Sequence, residues 1–299
     1  MRRLARIVTA ALALSGLVSR ASADCPRSAP SAVALVDDAD ALRATDLDGA
    51  IERYVEASRL APSNVAVLWK LATAYKKKEA WADVASTLIF ATKLAPEHAN
   101  YFLLMGNAQS RLARWADAKA SLEQAVKVDP NYADAYFELA RVLLQLGDDQ
   151  GALAQHTRAI QVRPEDISLY APLVDLYLRL GFPEQAEQTA REGLTRGTGA
   201  ATFALHTLYA LSRERRGDGN GAILSYEAAK AACGPCNLAG QQIAYFNLGA
   251  AYVSAKPPRK AEGIANLVTF RKLICKGAAA SRYADECEQT QVLLDRLTP

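Results

Sequence analysis

The chain has 299 residues, of which 51% are hydrophobic and 22% are charged, and a formal net charge of +3. Its first 20 residues hold four of the 35 basic residues and none of the 32 acidic ones, so the remainder has 31 minus 32 charges, a net charge of −1. This balance excludes any general electrostatic attraction to nucleic acid or to an anionic membrane.

The first 23 residues have the three parts of a secretory signal peptide. A basic start from Met1 to Arg6 precedes an apolar run from Ile7 to Val18, and the small residues Ala21-Ser22-Ala23 form a cleavage site. We therefore expect export to the periplasm or the cell exterior, a mature chain that begins at Asp24, and a linker over residues 24–30. The apolar run is too short for a permanent transmembrane segment. A lipid anchor on Cys25 stays open as an alternative, although Asp24 stands where an acylated cysteine needs a small residue.

Residues 31–275 contain an internal repeat with a period of 34 residues. Two residue types keep this period in one register: Pro62, Pro96, Pro130 and Pro164, and five residues earlier Ala57, Ala91, Ala125 and Ala159. Within one unit, Phe102, Met105 and Leu112 have helical spacing, and Ala118, Leu122 and Ala125 share one face of a second helix. Small residues such as Gly106 and Ala118 should let the paired backbones approach closely.

Two helices in each 34-residue unit, with small, aromatic and proline positions in this order, resemble the tetratricopeptide repeat. The resemblance implies an all-α fold, a right-handed α-solenoid of about seven helix pairs. The first unit is degenerate, because Asp37-Asp38 interrupts its first helix, and residues 276–299 should form a loop and a capping helix from about Ser281 to Leu297. In the fifth unit, Gly193 and Thr198 replace the usual alanine and proline, which predicts a weakly packed hinge before the sixth unit.

The resemblance also implies a binding groove, because the first helices of such repeats usually line the concave surface. Residues spaced i, i+4, i+7 and i+8 share one face of each first helix. The residues so predicted to bind a partner are Trp69, Thr73, Lys76, Lys77, Asn107, Arg111, Phe137, Arg141, Asp175 and Arg179. The same spacing places Leu103, Ser110, Leu144, Gln145, Ala171 and Leu178 beside them. Repeated cations with apolar neighbours suit an acidic extended peptide. The pattern of Lys and Asn that grips a chaperone tail in this family is not reproduced, since Trp69 and Thr73 stand at two of its places.

Catalytic and metal-binding motifs are lacking, so the sequence predicts no catalytic residue, no metal and no cofactor. The three histidines have structural explanations: His156 and His206 at inward-facing places and His98 in a loop between units. The chain is accordingly predicted to be a non-enzymatic scaffold that binds a protein or peptide. Membership of an envelope assembly is a further possibility that the sequence does not test.

The cysteines provide the alternative function. Cys233-Gly234-Pro235-Cys236 has the letters of the thioredoxin redox motif, but Cys233 ends a predicted helix, whereas a reactive thiolate is stabilised at a helix N-terminus. We therefore favour two structural disulfides, Cys233–Cys236 and Cys275–Cys287, worth about 2 and about 3 kcal/mol, with a thiol-disulfide redox protein as the alternative. Cys25 is left without a partner.

Overall fold

The structure, a computed structural model, describes residues 31–276 and 279–297. The predicted signal peptide, the predicted linker and Cys25 lie outside the described residues. Within them the chain is an all-α solenoid, as expected, with no β-strand. Its helices are α1 (Ala32–Leu42), α2 (Leu47–Leu60), α3 (Val65–Lys77), α4 (Trp81–Leu94), α5 (Ala99–Arg111), α6 (Trp115–Val128), α7 (Ala133–Gln145), α8 (Asp149–Val162), α9 (Tyr170–Arg179), α10 (Pro183–Leu194), α11 (Phe203–Arg215), α12 (Gly219–Cys233), α13 (Ile243–Ser254), α14 (Lys260–Phe270) and α15 (Ala284–Leu297).

Consecutive helices pack as pairs, from α1 with α2 to α13 with α14, and each pair contacts the next. The last helix, α15, lies against α13 and α14 at the end of the stack, where a capping helix is expected. It begins at Ala284, three residues after the predicted start, because residues 280–283 form a 3-10 turn.

The repeated prolines end the second helix of each early unit. The helices α2, α4, α6 and α8 each stop two residues before a proline, which lacks the N–H that a further turn would need. The turn inside a pair requires a positive φ, seen at Gly147 (78°), Gly181 (81°) and Gly217 (82°). Ala113 (55°) and Glu79 (60°) take the same place in two earlier units. The packing of the repeat therefore imposes this backbone conformation even where no glycine relieves it.

Small residues let the two helices of a pair approach closely, as predicted. A Cβ atom added to Gly106 on α5 would lie 2.6 Å from Cγ of Leu122 on α6. Leu122 and its neighbour Ala118 are fully buried. The core of the solenoid forms both within each pair and between neighbouring pairs, as in the buried cluster that joins α3, α4 and α5.

The first helix, α1, is unbroken from Ala32 to Leu42, contrary to the expectation of an interrupted helix. Asp37 and Asp38 are exposed on its outer surface. The Asp40 carboxylate accepts hydrogen bonds from the Tyr54 hydroxyl and the Lys70 ammonium group, which ties α1 to α2 and α3. Although partial burial acts to raise it, these hydrogen bonds hold the pKa of Asp40 below its usual value.

The junction between the fifth and sixth units is closely packed, so the reason given for a hinge was wrong. A Cβ atom on Gly193 would lie 2.7 Å from Cδ2 of Leu205 and 2.7 Å from Cγ of Tyr170, both fully buried. The missing side chain is replaced by these two large neighbours. The buried Glu187 carboxylate adds an ionic connection, because it accepts hydrogen bonds from Arg191 (2.8 Å) on its own helix and from Arg216, the residue that follows α11.

We expect Gly193→Ala to lower the free energy of unfolding by about 1–3 kcal/mol, because the added methyl group overpacks this junction. Elsewhere in a helix the same change is usually favourable. Urea denaturation followed by circular dichroism measures the effect. Gly219→Ala at the start of α12, where an added Cβ meets nothing within 4 Å, is the matched control and should change stability by less than about 0.5 kcal/mol. Equal stability of the two variants would show that the junction is loosely packed after all.

Candidate functional site

A cleft of about 410 Å³ crosses the first helices of the second, third and fourth units, α3, α5 and α7. We call it the main cleft. It brings together four residues of the predicted groove: Lys76, Asn107, Arg111 and Arg141. Two tryptophans, Trp81 and Trp115, line it from the first residues of α4 and α6. Leu104, Ser110 and Glu138 complete its lining.

The main cleft has an excess of positive charge. Arg141 is paired with Glu138, with Nη1 to Oε2 and Oε1 distances of 2.9 and 3.2 Å. The Arg111 guanidinium instead lies over the Trp81 ring, 5.4 Å from its centroid, a geometry that suits a cation–π contact. Within the described part of the chain, neither Lys76 nor Arg111 has a carboxylate partner. Two cations are therefore left to attract an anionic group.

Asn107 adds a hydrogen-bond acceptor to the residues that line the main cleft. Its Oδ1 atom is buried and accepts no hydrogen bond from the described residues. A buried polar atom without a partner costs about 1–3 kcal/mol, so a small shift of the Asn107 amide that lets Oδ1 accept a ligand N–H group would be stabilising. Anionic charge and an N–H donor occur together in a peptide that carries acidic side chains.

A second cleft, of about 300 Å³, adjoins the main cleft. We call it the side cleft. It shares Ser110, Trp115 and Arg141 with the main cleft and adds Leu144 and Gln145 from the C-terminal end of α7. The groove therefore extends toward the C-terminal end of α7, beyond the excess of charge.

Three other predicted groove residues are held by contacts within the fold. Lys77 donates a hydrogen bond to the Arg43 carbonyl (2.9 Å), which caps the C-terminal end of α1. The Thr73 hydroxyl donates to the Lys70 carbonyl (2.8 Å). Trp69 is half-buried and stacks on Tyr101, with ring centroids 5.0 Å apart.

Three further predicted groove residues, Phe137 in the fourth unit and Asp175 and Arg179 in the fifth, lie outside both clefts. Phe137 packs edge-on against His156, with a centroid distance of 5.4 Å. Asp175 and Arg179 form an exposed ion pair of 3.2 Å with each other. Leu178, expected beside them, is buried in the core instead.

Sequence reasoning missed Trp81, Trp115 and Glu138. The two tryptophans are 34 residues apart, so they occupy one place in successive units, and this repetition was a readable signal. They begin second helices, however, and spacing along the first helices does not include them. Glu138 lies one turn before Arg141, a spacing that is common in surface ion pairs without any ligand.

The four cysteines within the described residues lie in two pairs. The Cα atoms of Cys233 and Cys236 are 4.8 Å apart and those of Cys275 and Cys287 are 5.6 Å apart, and in each pair the sulfur atoms are within bonding distance. The helix α12 ends at Cys233, as predicted. Cys236 is 1% exposed and packs with Cys233 and Ala244. A buried pair at a helix C-terminus lacks the accessible, stabilised thiolate of a redox site, so nothing here supports the redox alternative.

Neither a cluster of metal-binding side chains nor a helix of the length and hydrophobicity needed to cross a bilayer occurs in residues 31–276 and 279–297.

His156 is buried in the core beneath Phe137, and its Nδ1 atom has no hydrogen-bond partner among the described residues. Burial, with smaller contributions from Arg141 and Arg179, lowers the pKa of His156 to about 4.

The family model for the tetratricopeptide repeat matches residues 103–166, which include α6, α7, α8 and most of α5. No curated protein matches the chain. The chain thus contains tetratricopeptide repeats over the matched residues and has the all-α solenoid fold of tetratricopeptide-repeat proteins, which are generally scaffolds for protein interactions.

Solved structures share its fold. MamA is 26% identical, with a TM-score of 0.51 over 53% of this chain and 93% of MamA. The C-terminal part of a tetratricopeptide-repeat protein from Cytophaga hutchinsonii is 15% identical, with a TM-score of 0.68 over 83% of this chain and 98% of that one. YrrB, described as a protein of this class with an unusual peptide-binding site, is 16% identical, with a TM-score of 0.52 over 67% and 99%.

His156 should make stability depend on pH. Its pKa is about 4 in the folded chain and 6.5 as an ordinary value, so between these pH values the unfolded chain binds the extra proton and stability falls as the pH falls. Leu88 and Leu122 occupy the place of His156 in the two preceding units. We therefore expect His156→Leu to remove roughly 2–3 kcal/mol of this loss of stability at low pH.

Urea denaturation of both proteins over this pH range measures the difference. His98→Asn, at an exposed helix start, is the control and should leave the pH dependence unchanged. The same slope in wild type and His156→Leu would contradict a neutral buried histidine.

Proposed function

We propose that this protein is an exported, non-catalytic scaffold whose main cleft binds an acidic segment of a peptide or protein partner. One observation carries the proposal: Lys76 and Arg111 lie in one cleft and have no carboxylate partner among residues 31–276 and 279–297, and Asn107, whose Oδ1 atom accepts no hydrogen bond from these residues, lines the same cleft. Carboxylates would neutralise the cations, and a backbone N–H would satisfy the acceptor.

The type of partner follows from the shape and lining of the cleft. Because its walls come from three consecutive units, a bound segment must extend across the first helices, which suits an unfolded stretch of chain. Trp81 and Trp115 offer broad apolar faces at both sides, so backbone and aliphatic parts of the partner can be covered as well. The peptide-binding site named for YrrB is consistent with this use of the fold, although their similarity extends only to the fold.

The absence of catalysis is part of the proposal. The groups in the main cleft are cations, indoles, an amide, a hydroxyl and one carboxylate that is already paired with Arg141. They do not include a nucleophile beside a base, which acyl or phosphoryl transfer would require. Recognition is the function that these groups support best.

Export and disulfide formation belong together in this proposal. The signal-like residues 1–23 would deliver the chain to an oxidising compartment, where the two facing cysteine pairs become disulfides. Cys275–Cys287 would fasten α15 to the helix pair of α13 and α14, against which it packs.

Intact-mass measurement of the exported protein checks both parts. We expect the mass of a chain that begins at Asp24, reduced by the four hydrogens that two disulfides remove, and a corresponding gain on reduction. An unprocessed mass from export-competent cells would contradict the signal peptide, and an oxidised mass without this deficit would contradict the pairing. A lipid-bearing mass would instead support the anchor at Cys25.

Charge reversal in the main cleft should weaken binding of acidic peptides. We expect Lys76→Glu and Arg111→Glu each to reduce affinity about tenfold, about 1.4 kcal/mol, and the wild-type affinity to fall as salt is added. Fluorescence anisotropy with a library of acidic peptides, each matched by a copy with Asn and Gln for Asp and Glu, measures the effect.

Lys93→Glu is the control for net charge, because Lys93 is exposed on the second helix α4 and lines neither cleft. It should leave affinity unchanged. Equal binding of acidic and amide peptides, or equal weakening by Lys93→Glu, would refute recognition by the main cleft.

A further inference from the structure

The side cleft differs in chemistry from the main cleft that it adjoins. Lys76, Arg111 and Asn107 line only the main cleft, whereas Leu144 lines only the side cleft and faces the space shared with the Trp115 indole. The two cations that have no carboxylate partner among the described residues therefore lie in the main cleft, whereas the side cleft has one cation, Arg141, which is already paired with Glu138, and apolar surface from Trp115 and Leu144. Trp115 and Arg141 belong to both and mark the boundary.

From this division we propose that the side cleft is an apolar anchor subsite, which takes one aliphatic side chain of the same partner segment whose acidic residues occupy the main cleft. The inference rests on the proposed function and deepens it by defining the partner as an acidic pair followed at a fixed distance by a leucine-like residue. The side cleft, at about 300 Å³, has room for one such side chain.

Position and burial support this occupant. Leu144 is half-buried and packs against the core of the fourth unit, so its exposed part is held in place before any ligand arrives. Ser110 and Gln145 at the rim can hydrogen-bond the backbone of an extended segment, while Trp115 and Leu144 cover its apolar side chain. Arg141 is restrained at the boundary by its ion pair with Glu138. A second carboxylate in the side cleft would meet fewer cations than in the main cleft, which favours an apolar group there.

The arrangement also predicts a spacing. Because the main and side clefts share lining residues, an acidic group and an apolar group can bind together only when a short, definite stretch of backbone separates them. Two separate peptides, one acidic and one apolar, would lose the advantage of this linkage.

A series of labelled peptides tests the inference on the full mature chain. Each peptide consists of glycine and serine with one pair of adjacent glutamates, and a single leucine is moved one position at a time away from that pair; the reference has serine in place of leucine. We expect one spacing to bind roughly tenfold more tightly than the reference, because a buried leucine side chain is worth about that factor or more.

Matched variants assign the gain to the side cleft. Leu144→Ala should reduce the advantage of leucine to less than about twofold and leave the reference affinity unchanged, and Leu144→Met, which conserves volume, should keep it. Leu146→Ala, at an exposed leucine two residues further on, should keep the advantage as well. Thermal unfolding verifies that all three variants fold.

The outcomes separate this inference from the proposed function. If the reference binds and leucine at every spacing adds nothing, or if Leu144→Ala keeps the full gain, the anchor subsite is refuted and the acidic site stands. If no glutamate peptide binds at all, the proposed function fails, and the anchor subsite fails with it.

Discussion

Close contact between the two helices of each pair is the constraint on which the rest of the structure depends. Gly106 lies so near Leu122 that even a methyl group would collide with it, and Gly249 stands in the same relation to Leu267 in the last unit, where an added Cβ would lie 2.8 Å from Cγ. A single helix pair has too little core to be stable alone, so its outer faces must be covered by the neighbouring pairs. This stacking sets the distance between α3, α5 and α7, and thereby the width of the main cleft.

The arginines of the solenoid differ in whether they are paired with a carboxylate, and this difference indicates which of them are structural. At the junction of α10 and α11, Arg191, Arg213 and Arg216 surround the buried Glu187 carboxylate and hold two units together. Arg259 is similarly paired with Glu227 and Glu262 in the last unit. Lys76 and Arg111 have no such partner within the described residues, although acidic residues are as common as basic ones in the chain beyond the signal-like segment. Lys76 and Arg111 also line one cleft, which is why we connect them with recognition of a partner.

The main cleft shows how a repeat acquires a specific surface. Trp81 and Trp115 follow the positive-φ turns at Glu79 and Ala113, so each indole is placed beside the first helix of the next unit. The fourth unit has Asp149 at the equivalent place, and the main cleft does not continue there. A pair of aromatic residues in one register therefore limits the surface to the second, third and fourth units, while the backbone repeats on both sides.

The sequence alone determined the helix pairs, their ends and the small residues between them, because these depend on contacts within about one repeat and leave a 34-residue period in the chain. Helical spacing also selected a set of residues on the first helices, yet only the tertiary structure decided which of them meet. Lys76 and Lys77 are adjacent in sequence, but one lines the main cleft and the other caps α1. Glycine at position 193 suggested a loose joint, and Leu205 and Tyr170 fill the space instead. Spacing along one helix defines a face, but what that face contacts depends on neighbouring units that are distant in the chain.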